Sequence, residues 1–356
     1  MKESYTSIGL MSGTSLDGLD VCAATFSFAE SKWSFKIDAA RGYSYPAGLK
    51  EDLGRNVQDM SAKEFVTLHS AYGKFLGERV NEFIAEYGVK ADIIASHGHT
   101  VFHEPAKRIM YQIGDGAAIA AETGIPTVSD FRRLDIMLGG QGAPLVPIGD
   151  ELLFGEYDYC LNIGGFSNIS FHQGDKRIAF DISPVNYVIN KYCRAIGLEM
   201  DRDGQIAASG KIYQELLDKL NALDYYSRPY PKSLGREWVE QFVFPLLDSV
   251  SLPLEDKLRT YYEHCAMQLG KVAGGAAGTK KRMLVTGGGA YNKFLISRMQ
   301  DLSGCSLIIP EPGIVEFKEA LIFAFLGVLY MTDQPSCLAS VTGARKDNIG
   351  GMLFKI

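Results

Sequence analysis

Two segments of the chain share one pattern, in which an apolar run enters a turn of small polar residues and leaves as a second apolar run. The first turn lies within 9–18, which reads GLMSGTSLDG, and the second is 164–165. The predicted strands are 7–11, 19–28 and 33–40 in the first segment and 158–163, 166–171 and 177–181 in the second. Because the order of elements recurs with little residue identity, the sequence predicts two lobes of related topology.

The rest of the chain alternates helix-like and strand-like segments, which favours a parallel or mixed sheet with crossover helices. Helices are predicted over 61–87, 115–123, 184–278 (as several helices, among them 254–278), 292–302 and from Glu316, and short strands at 92–96, 126–129, 283–285 and 306–309. The glycines of 139–144 predict a loop. We expect an α/β fold with lobes 1–145 and 146–356, a helical insertion at about 184–278, and a C-terminal helix packed back on the first lobe.

Bulk properties narrow the class of protein. The length of 356 residues exceeds what one hydrophobic core usually supports. A net charge of −6 gives no sign of a nucleic-acid surface. We expect neither a signal peptide nor a membrane span, since the most apolar run, 321–331, is too short to cross a bilayer. The cysteines show no CxxC spacing, so we expect reduced thiols in a cytoplasmic protein.

The first turn suits a phosphate group. Glycine lets backbone N–H groups approach an anion closely. Asp17 and Asp20 lie within or beside the same turn. Carboxylates tolerate an anion nearby only when a cation lies between them, so the pattern indicates phosphate together with Mg²⁺. The alternative interpretation is an ordinary hairpin with a polar tip.

Three glycine turns follow predicted strands, around Gly13, at 164–165 and at 287–289. The third leads toward a helix, whose N-terminus favours negative charge. None matches the P-loop or Rossmann pattern. Turns in both halves of the chain fit a nucleotide held in a cleft between two lobes.

The chain resembles the anhydro-N-acetylmuramic acid kinase family over nearly its whole length. The motifs that carry the resemblance are 9–18 (GLMSGTSLDG), 96–98 (SHG) with Thr100, 112–115 (QIGD), 130–132 (DFR), 139–145 (GGQGAPL), 162–165 (NIGG) with Asn168, and 287–289 (GGG) with Asn292. The resemblance implies the actin-like ATPase and sugar kinase fold, with two ribonuclease-H-like lobes and an active-site cleft between them. It also implies the reaction: ATP-dependent hydrolytic opening of 1,6-anhydro-N-acetylmuramic acid and phosphorylation of O6, a step of cell-wall recycling.

The resemblance also assigns residues. Asp181 is the implied catalytic base, and Asp17 the implied Mg²⁺ ligand, directly or through water. The implied ATP-binding residues are Ser12, Gly13, Thr14, Ser15, Asp17, Gly18, Asp20, Gly164, Gly165, Asn168, Gly287, Gly288, Gly289 and Asn292. The implied sugar-binding residues are His97, Thr100, Gln112, Asp115, Arg132, Asn186 and Glu319. Family members suggest a homodimer, with no nucleic-acid or membrane partner.

Each key side chain has a plainer alternative. Asp181 precedes 184–186, and without the resemblance its position favours a helix N-cap over a catalytic base. Arg132 suits the lactyl carboxylate of the sugar, because a guanidinium binds a carboxylate with two hydrogen bonds. The neighbouring Arg133 competes for that role, and either is also typical of a protein surface. Glu319 reads equally as a solvated helix carboxylate.

The sequence departs from the family pattern in two places. The family's approximate Asp-Thr-Gly-Pro-Gly-Asn is 181–186 here, DISPVN, and its His-Gly-Gln-Thr is 97–100, HGHT. These changes keep two alternatives open: a kinase for another anhydrosugar such as levoglucosan, and a catalytically weakened sugar or nucleotide sensor. The spacing of His97, His99 and His103 also resembles a zinc site, but Gly98 and Thr100 favour a loop there.

Overall fold

The computed structural model describes residues 2–13, 16–274 and 280–356, and these divide into two compact units. Unit 1 is Met1–Phe154 with Phe317–Ile356, and unit 2 is Gly155–Glu316. Unit 1 therefore runs past the expected boundary at residue 145 and includes the C-terminal segment. Among the described residues, no helix combines the length and apolarity that crossing a membrane requires.

Unit 1 contains a mixed sheet. Its strands are β1 (Ser4–Met11), β2 (Leu19–Ala29), β3 (Lys32–Tyr43), β4 (Ile93–Ser96), β5 (His99–Glu104), β6 (Ile109–Ile113), β7 (Thr127–Ser129) and β13 (Met352–Phe354). The sheet order is β13-β7-β4-β1-β2-β3, and β5 and β6 form a separate hairpin. β1, β2 and β3 are antiparallel, whereas β4 and β7 continue parallel to β1. This is the ribonuclease-H-like arrangement.

The helices of unit 1 pack against this sheet. They are α1 (Ala47–Gly54), α2 (Ala62–Tyr87), α3 (Gly116–Thr123), α4 (Arg133–Met137), α5 (Pro147–Leu153), α13 (Pro312–Met331, which begins in unit 2) and α14 (Ala339–Thr342). Helix α2 begins with a capping box of Ser61 and Glu64 and ends at Gly88, which adopts φ 68°. These are the boundaries that the spacing at 61–87 predicts.

Gly9 in β1 sets the position of α13. A Cβ at Gly9 would lie 1.9 Å from the carbonyl oxygen of Ala320 and 2.5 Å from the amide nitrogen of Ala324. Only glycine therefore allows the helix backbone to approach the central strand this closely. The expected packing of the C-terminal helix on the first lobe rests on this contact.

Unit 2 repeats the same order of strands. They are β8 (Tyr159–Ile163), β9 (Phe166–Gln173), β10 (Lys176–Pro184), β11 (Arg282–Thr286) and β12 (Ser306–Ile308), arranged β10-β9-β8-β11-β12. The first three are antiparallel, and β11 is parallel to both β8 and β12. The predicted echo between the two halves is confirmed, and with it the α/β class and the two ribonuclease-H-like units.

The helices of unit 2 stand mostly between β10 and β11, as the sequence predicts. They are α6 (Asn186–Arg194), α7 (Gln205–Ser209), α8 (Gln214–Asn221), α9 (Arg236–Trp238), α10 (Phe244–Asp248), α11 (Leu254–Ala273) and α12 (Lys293–Ser303). Shorter turns of 3-10 helix lie at Val57–Asp59, Pro105–Lys107, Arg202–Gly204, Asp224–Ser227 and Gly288–Tyr291, and a π-helical turn at Val239–Val243. The predicted end of α11 at residue 278 falls outside the described residues.

Cysteine chemistry agrees with the sequence. All six cysteines lie in the described residues, are buried, and carry thiols rather than disulfides. Burial raises the pKa of the Cys265 thiol to about 12, and the same cause raises the pKa of Cys22 to about 12. They behave as small core residues.

Candidate active site

The turn after β1 is anchored through Ser12. Its hydroxyl donates to the carbonyl oxygen of Gly98 at 2.7 Å and accepts from the Tyr72 hydroxyl at 2.8 Å. Tyr72 in turn contacts the Tyr45 hydroxyl at 2.9 Å. Because these bonds are internal and Ser12 is buried, its side chain holds the turn in place rather than presenting itself to a ligand.

The tip of this turn is only partly described. Thr14 and Ser15, both predicted to bind ATP, lie outside the described residues. Gly13 accepts a hydrogen bond from the amide of Leu16 at 3.3 Å. Asp17 is exposed at the tip, where a carboxylate is accessible to a hydrated cation.

Close backbone contacts determine how the chain leaves the turn and enters β2. Gly18 has φ 152°, and a Cβ there would lie 2.6 Å from the carbonyl oxygen of Tyr43. Asp20 is half-buried in β2, paired in register with Met11 of β1. These contacts confirm the predicted hairpin. They also explain why glycine is required at position 18, whether or not a ligand binds.

His97 is the centre of a polar network in unit 1. Its Nδ1 lies 2.7 Å from the carbonyl oxygen of Gly98 and 3.1 Å from that of Ser12, so Nδ1 carries the proton. Its Nε2 then accepts from Arg132 at 2.8 Å and lies 3.0 Å from the Gln112 amide nitrogen. Burial, together with the Arg132 charge, lowers the pKa of His97 to about 3. The ring therefore stays neutral and aims the guanidinium.

Arg132 and Arg133 are distinguished by their partners. Arg132 is half-buried and also donates to the carbonyl oxygen of Gly142 at 2.7 Å. Gly142 is itself held by the buried Asp135, whose Oδ2 accepts its amide at 2.8 Å. Arg133 instead forms an ion pair with Asp130 at 2.6 Å. Arg132 thus belongs to the interior network, and burial lowers the pKa of its guanidinium to about 10. Arg133 is exposed and lines the small cavity beside His97 and Gln112, so the choice of Arg132 for the sugar stays a prediction.

Polar atoms without partners lie beside this network. Among the described residues, Gln112 Oε1 and His99 Nδ1 are buried and have no hydrogen-bond partner. The amide group of Gln112 meanwhile donates to Thr100 at 3.1 Å. Because a buried polar atom left unpaired is costly, these atoms are suited to contact a polar ligand.

Asp115 has a local role. Its carboxylate accepts the amide of Ala117 at 2.9 Å as the N-cap of α3. It lines, with His97 and Gln112, a small cavity of about 80 Å³. The structure therefore brings three predicted sugar-binding residues together, although the carboxylate of Asp115 is already engaged.

Glu319 lies in α13, close to the charges of the same unit. It is accessible to solvent. Its surroundings nevertheless desolvate it, which raises the pKa of its carboxyl, while Arg132 and Lys318 oppose that rise and Asp17 adds to it. Lys318 is buried and pairs with Asp150 at 2.6 Å. The carboxylate of Glu319 is therefore accessible to a ligand, and its role in sugar binding stays a prediction.

In unit 2, three polar residues form one row across the sheet. Asn162 of β8 is paired with Asn168 of β9, and Asn168 with Asp181 of β10. Residues directly opposite one another on neighbouring strands project to the same face. The flanking positions Leu161 and Ile163 belong to the hydrophobic core, so the polar row lies on the other face.

Asp181 is held by a segment distant in sequence. Its Oδ2 accepts the amide of Leu234 at 2.8 Å, its own amide donates to the carbonyl oxygen of Lys232 at 3.2 Å, and its carbonyl accepts from the Tyr225 hydroxyl. Burial raises the pKa of the Asp181 carboxyl, and the Leu234 amide moderates that rise. The register shifts between Asp181 and Ser183, a β-bulge of the kind that re-aims a side chain.

The interpretation of Asp181 as a helix N-cap is wrong. Helix α6 begins at Asn186, its N-cap position is Val185, and Asp181 belongs to β10. Asn186 is half-buried in the first turn of α6, and its amide donates to the carbonyl oxygen of Gly164 at 3.3 Å.

The departures from the family pattern after Asp181 point into the core. Ile182 is 3 % exposed, and Ser183 and Val185 are fully buried. Ser183 contacts the hydroxyl of Ser167 at 3.3 Å, and Ile182 and Val185 are members of the core cluster. These substitutions therefore change packing beneath the site and leave Asp181 and Asn186 in place.

The glycine turns of unit 2 lie at one edge of its sheet, because β8 and β11 are parallel neighbours. A Cβ at Gly164 or Gly165 would find its nearest atoms only at 3.6 Å and 3.7 Å, and at Gly288 it would find none within 4 Å. We call Gly164, Gly165 and Gly288 the glycine cradle. Packing does not require glycine at these positions, so they leave space for a ligand to approach the backbone.

Gly287, Gly289 and Asn292, also predicted to bind ATP, have packing or capping roles within unit 2. A Cβ at Gly287 would lie 2.6 Å from Asn162 Oδ1, and one at Gly289 would lie 2.2 Å from Ile163 Cγ2. Asn292 caps α12 by accepting the amide of Leu295 at 3.0 Å, and it donates to the Tyr262 hydroxyl at 2.8 Å. Both ends of its side chain thus have partners within unit 2, and its contact with ATP stays a prediction.

Sequence reasoning missed two contributors. Counting residues across the hairpin from the turn at 164–165 pairs Asn162 with Asn168, so the sequence could have indicated Asn162. The contact of Leu234 with Asp181 spans a long, irregular stretch of chain and leaves no periodic signal. No cluster of His, Cys, Asp and Glu suited to a metal ion exists among the described residues, so the zinc interpretation of His97, His99 and His103 gains no support.

Comparisons with known proteins extend these observations. The family model for anhydro-N-acetylmuramic acid kinase matches residues 5–356. A protein of that name from Shewanella amazonensis is 36% identical, covering 98% of each chain. Relatives of the same name from Aliivibrio fischeri and Pseudomonas syringae pv. tomato are 36% and 35% identical, again covering 98% of each chain. The match spans both units and every motif described above, and this chain belongs to the anhydro-N-acetylmuramic acid kinase family.

Proposed function

We propose that this kinase uses ATP and water to open the 1,6-anhydro bridge of anhydro-N-acetylmuramic acid and to phosphorylate O6. The product is N-acetylmuramic acid 6-phosphate, an intermediate of cell-wall recycling. Family membership supports the reaction. The observation that carries the chemistry is Asp181, a half-buried carboxylate with a raised pKa, held by a backbone amide beside Asn168.

Asp181 supplies the base that the reaction requires. Water attacks the anomeric carbon of the sugar, its proton passes to the Asp181 carboxylate, and the bond from C1 to the bridging oxygen breaks. That oxygen leaves as O6 and attacks the γ-phosphorus of ATP, whose bond to the oxygen bridging it to the β-phosphorus breaks to release ADP. A carboxylate with a raised pKa accepts a proton more readily at neutral pH than an ordinary aspartate does.

Unit 1 supplies groups suited to the sugar. The guanidinium of Arg132, aimed by neutral His97, is assigned to the lactyl carboxylate. Gln112 and His99 offer the unpartnered atoms described above to polar groups of the sugar. Glu319 is assigned to a sugar hydroxyl, because an accessible, partly desolvated carboxylate is a strong acceptor. Thr100, which bonds Gln112, orients that amide.

The glycine cradle is assigned to the phosphates of ATP. Its open backbone is where an added Cβ would stand without collision, so the space fits a ligand that contacts main-chain groups. Mg²⁺, when bound with ATP, neutralises phosphate charge. In the described residues the exposed Asp17 suits such an ion, since magnesium is held by one or two carboxylates and substrate phosphates rather than by a protein cage.

The alternatives are less well supported. The curated relatives carry the name of the muramyl kinase, which does not favour levoglucosan as the substrate. The altered positions after Asp181 face the core, which removes the motive for a weakened sensor. We assign the protein to the cytoplasm, where its thiols remain reduced, and propose a homodimer by analogy with the family.

The test is an ADP-release assay with purified protein, ATP, Mg²⁺ and either anhydro-N-acetylmuramic acid or levoglucosan, followed by mass spectrometry of the product. We expect turnover with the muramyl sugar and a product heavier by one water than phosphoryl transfer alone would give. Sugar binding without ADP release would contradict the proposal, as would a higher kcat/KM for levoglucosan.

A further inference from the structure

Unit 2 contains a second cavity, on the face of β10 opposite to Asp181. Its volume is about 350 Å³, and Phe180 and Ile182 of β10 line it together with Tyr230. Phe180 and Ile182 alternate with Asp181 along the strand and belong to the core side of the sheet. The cavity is therefore separate from the polar row that carries the proposed chemistry.

One wall of this cavity is aromatic. The rings of Phe180 and Tyr230 are stacked, with centroids 5.0 Å apart and an angle of 4° between their planes. Phe171 meets the Tyr230 ring edge-on at 6.4 Å. Tyr230 is 38 % exposed. A large ring that lies flat and remains accessible offers a surface on which a planar group can stack.

The side chains around the cavity carry positive charge, which is unusual for a surface of this acidic protein. Arg228, Lys232 and Lys271 all line it, and no described lining residue is acidic. Arg228 has an ion-pair partner in Asp224 at 2.6 Å, outside the lining. Burial and the charges of Arg228 and Lys271 lower the pKa of Lys232. The Lys232 ammonium donates to the carbonyl oxygen of Tyr225 at 3.1 Å, and no acidic residue of the described lining offsets the charges of Lys232 and Lys271. An anion in the cavity would be attracted to these charges.

A buried hydroxyl adds a polar group. Tyr226 also lines the cavity, and its Oη is buried without a hydrogen-bond partner among the described residues. Its ring contacts His264 edge-on at 4.8 Å, so the side chain is fixed by packing. Because an unpaired buried hydroxyl is costly, a polar group that reached it would be stabilised.

We propose that this cavity, the basic aromatic pocket, is a second ligand site that binds an organic anion with a planar apolar group. The planar group stacks on Tyr230, and the anionic group is neutralised by Lys232, Lys271 and Arg228. A phosphate or a carboxylate attached to a ring has this chemistry. The pocket shares the segment 225–234 with Asp181, because Lys232 and Leu234 supply its backbone contacts. Occupancy therefore bears on the segment that holds the proposed base.

The test uses phenyl phosphate as the probe in isothermal titration calorimetry, with the full chain and saturating ADP to fill the nucleotide site. We expect phenyl phosphate to bind more tightly than inorganic phosphate, and benzyl alcohol not to bind, since both the ring and the charge contribute. Neutral esters such as phenyl benzoate should not bind, because they carry no charge, whereas benzoate should bind. Absence of binding by both phenyl phosphate and benzoate would overturn the proposal.

Two variants localise the site. Lys271→Gln, on the exposed surface of α11, should weaken phenyl phosphate about tenfold, because one charge-assisted contact is lost. Lys211→Gln, an exposed lysine of the same unit outside the lining, is the matched control and should leave affinity unchanged. Tyr230→Ala should abolish the preference for phenyl phosphate over inorganic phosphate. Equal affinities in wild type and both pocket variants would place the binding elsewhere and overturn the proposal, and circular dichroism checks that each variant is folded.

Discussion

The two units have the same strand order but present different chemistry at their first hairpins. In unit 1 the connection between β1 and β2 is long, and Ser12 ties it to a network of side chains around His97. In unit 2 the connection is the short turn Gly164–Gly165, whose backbone is open. From this difference we propose that unit 1 recognises its ligand through side chains, whereas unit 2 recognises its ligand through main-chain groups and contributes the carboxylate of Asp181. The following predictions test that division.

Asp181→Asn should have the largest effect. Loss of the base lowers kcat by about 10²–10⁴-fold, while ATP affinity is unchanged because the glycine cradle is intact. Asp175→Asn, in the exposed turn between β9 and β10, is the matched control. The measurement is steady-state kinetics together with nucleotide titration. Near-normal turnover of the Asn variant would remove Asp181 from its role.

The same variant should not lose stability. A raised pKa in the folded state means that ionised Asp181 disfavours folding, and this cost is present above the folded pKa. The amide oxygen of Asn can still accept the Leu234 amide, so we expect an equal or higher Tm at neutral pH. A clear drop in Tm would show that the carboxylate serves the fold and would blur the distinction between the two units.

Arg132→Ala tests side-chain recognition in unit 1. A hydrogen bond to a charged group contributes about 1.5–3 kcal/mol, so KM for the muramyl sugar should rise about 10- to 100-fold, with a smaller change in KM for ATP. Arg133→Ala, which removes the partner of Asp130 and a lining residue of the small cavity, is the competing variant and should raise KM less than Arg132→Ala does. Equal effects of the two variants would contradict the assignment of the interior arginine.

Gly288→Ala tests main-chain recognition in unit 2. No atom lies within 4 Å of the added Cβ, so folding should be unaffected, whereas KM for ATP should rise about tenfold through displaced phosphate. Gly289→Ala is the contrasting variant, since its Cβ would collide with Ile163 and lower Tm. If Gly288→Ala leaves ATP kinetics unchanged, the cradle does not hold the phosphates.

The acid limb of the pH profile gives the smallest and most diagnostic effect. The base must be ionised, so kcat/KM should fall as pH decreases through the raised pKa of Asp181, which lies above the ordinary aspartate value. His97 will not contribute near neutral pH, because burial lowers its pKa to about 3. An acid limb at the ordinary aspartate pKa would show that Asp181 is not desolvated during turnover.

Much of the fold could be predicted from the sequence, because the residue patterns that indicate its strands and helices are local. Alternating apolar runs gave β1, β2, β8 and β9, and the capping residues Ser61 and Gly88 mark the ends of α2. The small polar residues of the two turns predicted the two hairpins. The return of the C-terminal helix to the first lobe was expected, but the boundary at residue 145 was not correct, since unit 1 continues to Phe154. The contact of Gly9 with α13, which positions that helix, leaves no mark in linker composition.

The candidate site could be predicted only in part from the sequence. Resemblance identified Asp181 and Arg132, but not that a segment around Leu234 holds the former or that His97 aims the latter. Motif matching also could not separate Gly288 from Gly289, because the difference lies in which neighbour a Cβ would meet. Contacts between residues far apart in sequence leave no periodic pattern, so they appear only in three dimensions.

The discontinuous build of unit 1 has a consequence for biosynthesis. Asp135, which positions the loop bonded to Arg132, accepts hydrogen bonds from Thr342 and Asn348, both near the C-terminus. Unit 2 is one continuous stretch of chain and so can fold while the ribosome is still translating. Because Thr342 and Asn348 follow unit 2 along the chain, the loop bonded to Arg132 gains these contacts only after unit 2 has been synthesised.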